Sequence, residues 1–305
     1  MTNATSATAI THSGHTAILV CHMAMLSGRH RRNSTAAIRE CFDANADRIE
    51  IDVHSLAGDD YAVFHERRLQ TETTGEGSIG NTAPDAFRAV RWLDDAASRP
   101  PLLSEVVEMA RGCDTELQLD LKDWRLLSRD RITPLLQTIA PIHDRVIVSC
   151  GQDWNLRRFH EADPSLAIGF DPGHYLDYVV EGSEELLPRG MGAYGYRDDH
   201  PIAVGRTEPT ASYLRERMAI LALQVPGARE FFLDYNMVLQ MLDDGFDVVA
   251  WLHDRHIQVT AWTVDYRNDA SLRILDRLLA AGVDRITTNT IPQWESATAA
   301  SRLPG

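Results

Sequence analysis

The stretch RIEIDV, residues 48–53, alternates apolar and polar side chains, and the fold follows from reading it as a strand. In a strand, residues two apart share a face, so Glu50 and Asp52 present two charges in one direction. The same arrangement recurs outward along the chain. AILVC (17–21) runs into His22, YAVF (61–64) into His65, and ELQLDL (116–121) carries Asp120 with Lys122 just beyond it, again two apart. Ionisable groups where buried strands leave the core need a chemical reason. Clustered carboxylates repel one another strongly without a cation, so the pattern points to metal and phosphate chemistry.

Strand-like runs near 17–22, 47–53, 115–121, 145–149, 166–170, 230–234, 257–264 and 284–288 alternate with helical patterns. Helices are expected near 34–45, 103–111, 130–139, 152–161, 237–254 and 269–281, where apolar residues recur at three- and four-residue spacing, as in Leu272, Leu275 and Leu279. Repeated βα units favour a parallel sheet, and eight strands is the count of a (β/α)8 TIM barrel. The expected fold class is therefore α/β, a TIM barrel with long loops at its mouth. Residues 1–16 read as a disordered tail and 17–305 as one domain. Two stretches exceed a minimal barrel: 66–101, rich in Gly, Thr and Arg, and 171–212, with Tyr175, Tyr178, Tyr194 and Tyr196 as a lid or aromatic wall.

The chain has 305 residues and 44% hydrophobic content without a long apolar run, enough for a full core and too polar for stable membrane insertion. Thirty Lys+Arg against 44 Asp+Glu give a net charge of −14, which disfavours nucleic acid or an anionic membrane surface as partner. Cys21, Cys41, Cys113 and Cys150 form no CxxC pair, and the amino end shows no signal-peptide pattern; both point to a reducing, cytoplasmic setting. Oligomeric state is not legible in these features.

At the carboxyl ends of barrel strands lies the chemistry. His22, Glu50-Ile51-Asp52, His65-Glu66, Asp120-Leu121-Lys122, Ala261-Trp262-Thr263-Val264, Gly282-Val283-Asp284 and Thr288-Asn289-Thr290-Ile291-Pro292 occur in one order from about residue 17 to 292. This ordered set resembles the glycerophosphodiester phosphodiesterase superfamily, which has the TIM-barrel fold. The resemblance implies a metal-dependent cleavage of a small-molecule phosphodiester to an alcohol and a phosphomonoester. Glu50, Asp52 and Asp120 are the expected ligands of one divalent ion, and oxygen-only ligands suit Mg²⁺ or Ca²⁺. His22 and His65 are expected as the acid–base pair, with either order open. Lys122 balances the remaining negative charge and Trp262 is expected to stack on the leaving group. His54 shares the strand face of Glu50 and Asp52; structural packing is the expectation for it, with support of the ligands from behind as the alternative.

Family members commonly carry His-Arg-Gly at the first strand and Pro-Glu-Asn-Thr before the first helix, where this chain has His22-Met23-Ala24 and Arg31-Arg32-Asn33-Ser34. The phosphate-contacting Arg is thus absent, and Arg31 and Arg32, in the run 29–32, are the expected substitutes in substrate binding. His-Met, Asp-Leu-Lys and Thr-Asn also resemble the sphingomyelinase D-like branch, whose lyase reaction gives a cyclic phosphate. A third class is a non-catalytic phosphate-ligand binding protein on the same scaffold.

Overall fold

A computed structural model describes residues 8–176 and 208–300. In chain order its strands are β1 (Ala9–His12), β2 (His15–Cys21), β3 (Arg48–Ser55), β4 (Tyr61–Val63), β5 (Glu116–Leu121), β6 (Val146–Cys150), β7 (Ala167–Phe170), β8 (Glu230–Asp234), β9 (Gln258–Trp262) and β10 (Arg285–Thr288). β2, β3 and β5 through β10 pair in parallel, and the β2–β3 contact closes them into a barrel. The eight expected strands are these eight. Helices pack around them because their apolar stripes must be buried against the barrel; Leu275, Leu278 and Leu279 of Asp269–Ala280 are among the residues so buried. No helix among the described residues is long and apolar enough to cross a membrane.

Three expectations change. Within the supposed tail, Ala9–His12 pairs antiparallel with β2. Ser13 and Gly14, both at positive φ (48° and 86°), make the two-residue turn between them, and Ile10 is buried beneath the strand. A polar composition concealed this hairpin. The helix expected over 237–254 is two, Tyr235–Asp243 and Val248–His253, separated where Gly245 takes φ 82°. The 66–101 stretch is no open loop. β3 runs on past the barrel to pair with β4, and Leu56, Phe64, Leu69, Phe87 and Trp92 gather into a second small core. Of the 171–212 stretch, 177–207 lies outside the described residues, and with it Tyr178, Tyr194 and Tyr196.

At the amino-terminal end of the barrel, Arg48 is buried and donates to both carboxylate oxygens of Glu230 at 2.8 Å and to Glu116. Thr260 also donates to Glu230, and Arg285 donates to Gln258 at 2.9 Å. Arg48 therefore serves this network and leaves Glu50 and Asp52, further along the same strand face, to the opposite end.

Candidate active site

Parallel register brings the acids together. Asp52 on β3 is the direct partner of Asp120 on β5, which in turn faces Ser149 on β6. One oxygen from each of Glu50, Asp52 and Asp120 can be chosen so that all lie within 4.8 Å of one another. Asp52 is fully buried and Glu50 nearly so, and Glu50 Oε1 has no hydrogen-bond partner. Burial, then the charges of Asp52 and Asp120, holds the Glu50 carboxyl well above the usual range. Burial also acts on Asp52, but Lys122, His65 and the Asn33 amide outweigh it and lower that carboxyl. Lys122 Nζ lies 3.0 Å from Asp52 Oδ1 and 2.5 Å from Asp120 Oδ2. Burial opposes its charge, yet Asp120, Asp52 and Glu50 together push the ammonium well above its ordinary value. An acid cluster short of positive charge, with an orphaned buried oxygen, fits a divalent cation with oxygen ligands.

The loop after β2 is bent to serve this cluster. Met23 and Ala24 take φ 49° and 59°, and Asn33 takes 54°; for Met and Ala that left-handed geometry costs roughly 1–2 kcal/mol each. In return the Met23 N–H donates to Glu50 Oε2 at 2.7 Å, and Asn33 Nδ2 donates to Asp52 Oδ2 at 2.7 Å. His22 Nε2 stands 3.9 Å from Glu50 Oε2 while its Nδ1 donates to Asn289 Oδ1 at 2.8 Å. His65 Nδ1 donates to Glu66 Oε1 at 2.8 Å, and His54 Nε2 donates to the His65 carbonyl at 3.1 Å. His54 thus steadies the backbone of His65.

His22, Glu50, His65, Asp120, Lys122 and Trp262 line one cavity of about 310 Å³. The Trp262 Nε1–H is buried without a partner. A neighbouring cavity of about 350 Å³ shares Asp120, Lys122, Asp171 and Trp262 and adds Trp124, His174 and Asp234. Arg31 and Arg32 lie elsewhere. Arg31 pairs with Asp94 and, at 2.9 Å, with Glu72, its guanidinium 4.1 Å from the centre of the Trp92 ring. Arg32 pairs with Glu72 at 2.7 Å. Both tie the first loop to the 66–101 stretch instead of facing the acids.

No family model matches the chain. Over 264 residues it is 26% identical to a glycerophosphodiester phosphodiesterase of Caldanaerobacter subterraneus, covering 84% of this chain and 88% of that protein. In sequence the chain is similar to a glycerophosphodiester phosphodiesterase, and its fold is that of solved structures bearing the same name. In fold, a family structure from Parabacteroides distasonis matches 93% of this chain and 98% of its own at TM-score 0.64 and 14% identity. An Oleispira antarctica phosphodiesterase in complex with the product sn-glycerol-3-phosphate matches 92% and 95% at TM-score 0.62 and 16% identity.

Against the family pattern, the departures gain a structural meaning. Ala24 stands at positive φ where relatives carry the Gly of His-Arg-Gly, and the side chain of Met23 is buried at the cavity wall. Sequence reasoning missed Asp171, at the end of β7, whose carboxyl is pushed up to about 7 by burial. It also gave Asn289 and Asp265 no role. Asp171 follows the apolar run AIGF and was open to the rule that picked out Asp120. Asp284 of the Gly-Val-Asp segment accepts from the Val259 N–H at 2.7 Å and from His253 at 2.9 Å, a structural task.

Proposed function

We propose that this protein is a metal-dependent phosphodiesterase that cleaves a glycerophosphodiester-like substrate to an alcohol and a phosphomonoester. The observation that carries the reading is the convergence on one cavity of Glu50 and Asp120, with Asp52 beneath them, Lys122 and two imidazoles each anchored through Nδ1. Glu50, Asp52 and Asp120 would hold Mg²⁺ or Ca²⁺, which when bound polarises a phosphoryl oxygen and offsets charge gathering in the transition state. Three carboxylates against a dication and Lys122 leave the site near neutral, so it admits an anionic phosphodiester.

The anchoring bonds suit His22 and His65 to different tasks. Asn289 is neutral, and with Nδ1–H held by it His22 keeps a bare Nε2 to take a proton from the attacking hydroxyl. Glu66 balances charge on His65, which is placed to protonate the leaving alkoxide. Lys122 contacts the phosphate, and Trp262 packs on the leaving group with its free N–H available to an oxygen. Attack by water gives the phosphomonoester directly. Attack by a neighbouring hydroxyl of the substrate gives a cyclic phosphate; the Asn289 contact to His22 favours keeping this second reading, because Thr-Asn is a feature shared with the sphingomyelinase D-like branch.

Incubation of the protein with a panel of glycerophosphodiesters plus Mg²⁺, Ca²⁺ or chelator, followed by phosphorus NMR, tests the proposal. Ion-dependent appearance of a linear phosphomonoester supports it. A cyclic product selects the lyase reading, and tight phosphate-ligand binding without turnover of any substrate selects the binding protein.

A further inference from the structure

Lys122 also borders a third cavity, of about 230 Å³, that opens against the 66–101 stretch and is lined by Arg67, Ser78, Gly80, Trp124 and Arg125. Arg67 lies over Trp124, its guanidinium carbon 4.7 Å from the ring centre. Arg125 fills the notch left by the missing side chain of Gly80, where a Cβ would stand 1.8 Å from Nη2. Among the described residues neither guanidinium has a carboxylate partner, while Arg29, Arg31 and Arg32 are all paired. Both side chains are exposed at the cavity rim, where two guanidiniums without a carboxylate partner beside Lys122 are open to an external anion. The acid of this cavity, Asp123, is engaged by the Ser55 N–H at 2.7 Å and hydroxyl at 2.9 Å. His54 spends its Nε2 on the His65 carbonyl.

We propose that Arg67 and Arg125 form an anion subsite beside the phosphoryl centre, so that the substrate is a phosphodiester one of whose alcohols bears a further carboxylate or phosphate. Guanidinium groups match both anions in a bidentate fork. The proposal rests on the phosphodiesterase reading. It departs from the expected loop residues, since the positive charge comes from the far side of Lys122.

Two substrate pairs test it and separate the two anions. Glycerophosphoserine differs from glycerophosphoethanolamine by a carboxylate, and glycerophosphoinositol monophosphate differs from glycerophosphoinositol by a phosphate. In at least one pair the more anionic member should have a kcat/KM higher by about tenfold or more. That ratio should fall toward one in Arg67→Ala, Arg125→Ala and Gly80→Ala. The last variant keeps every charge and displaces the Arg125 guanidinium, and the nearest atom outside Arg125, the Ser55 carbonyl oxygen, would be at an ordinary 3.6 Å. Equal rates within both wild-type pairs, or a ratio retained in all three variants, overturns the subsite. Should none of these diesters be cleaved, the phosphodiesterase reading fails by itself. Calorimetry with inositol bisphosphate and inositol monophosphate then decides: tighter binding of the bisphosphate that is lost in Arg125→Ala supports the subsite, and equal binding overturns it.

Discussion

Asn289 turns its carbonyl oxygen to His22 because Asp265 occupies its amide. Asp265 accepts from Asn289 Nδ2 at 3.1 Å and from the Asn289 N–H at 2.8 Å, and an ionised carboxylate can only accept. The oxygen facing His22 then requires a proton on Nδ1, which leaves Nε2 bare. Asn289→Leu removes this orientation while keeping the size. Since a placed proton transfer contributes about 10²–10⁴-fold, losing the placement should lower kcat by about tenfold or more, with KM and thermal stability little changed. Steady-state kinetics on the native substrate measure it, and an unchanged kcat would detach Asn289 from the chemistry.

Glu50→Gln sets stability against function. With chelator present, the variant should melt higher than the wild type at neutral pH, because a buried carboxylate facing Asp52 and Asp120 is replaced by a neutral amide. A gain of at least about 2 °C corresponds to roughly 1 kcal/mol in a domain of this size. Addition of Mg²⁺ or Ca²⁺ should raise the wild-type midpoint and not that of the variant. If the ion stabilises both equally, Glu50 is no ligand.

Asp171 makes stability depend on pH. Its carboxyl is raised from 3.8 to about 7 by burial, so between those values the folded chain holds a proton that the unfolded chain has released. Stability from this group therefore falls as pH rises through that window, and its full cost is present above about 7. Asp171→Asn does not titrate, and its amide oxygen can still accept from the Gly173 N–H as the carboxylate does at 2.8 Å. Differential scanning of the two proteins in chelator should show the variant's advantage at pH about 8 exceeding that at pH about 5. A constant gap would mean that the group titrates normally.

At the other end of the barrel, Glu230→Ala should cost about 3–5 kcal/mol, because it leaves the Arg48 guanidinium buried with only Glu116 to balance it. Denaturant titration reads the loss. Its size tests whether the lower network, remote from the acids, carries stability alone: kcat measured well below the new midpoint should stay near wild type.

The barrel was legible because its strands read either as apolar runs, such as AILVC and AIGF, or as alternations, such as RIEIDV and ELQLDL, and the acids were legible because they fall within or just beyond those strands. Hairpin β1–β2 was not, since a two-residue turn of Ser13 and Gly14 looks like any polar linker until Ile10 is seen beneath it. The folded state of 66–101 was hidden for a related reason: Leu69, Phe87 and Trp92 are too widely spaced to show a period. Arg31 and Arg32 show the limit of reasoning by nearness in sequence. They share a loop with His22, but Glu72 and Asp94 were closer partners in space. Arg67 and Arg125, far apart along the chain, are brought to one cavity by the fold.

β3 works as a ruler. Arg48, Glu50, Asp52 and His54 sit at two-residue intervals on one strand, and they serve in turn the lower ion pair, the acid cluster and the brace on His65. Substitution among Ile49, Ile51 and Val53 exchanges one apolar filling for another, but a single inserted residue turns every mark beyond it to the wrong face. Between these marks, length more than identity is what selection must hold constant, and scanning the strand with one-residue insertions should find no tolerated position from Arg48 to His54.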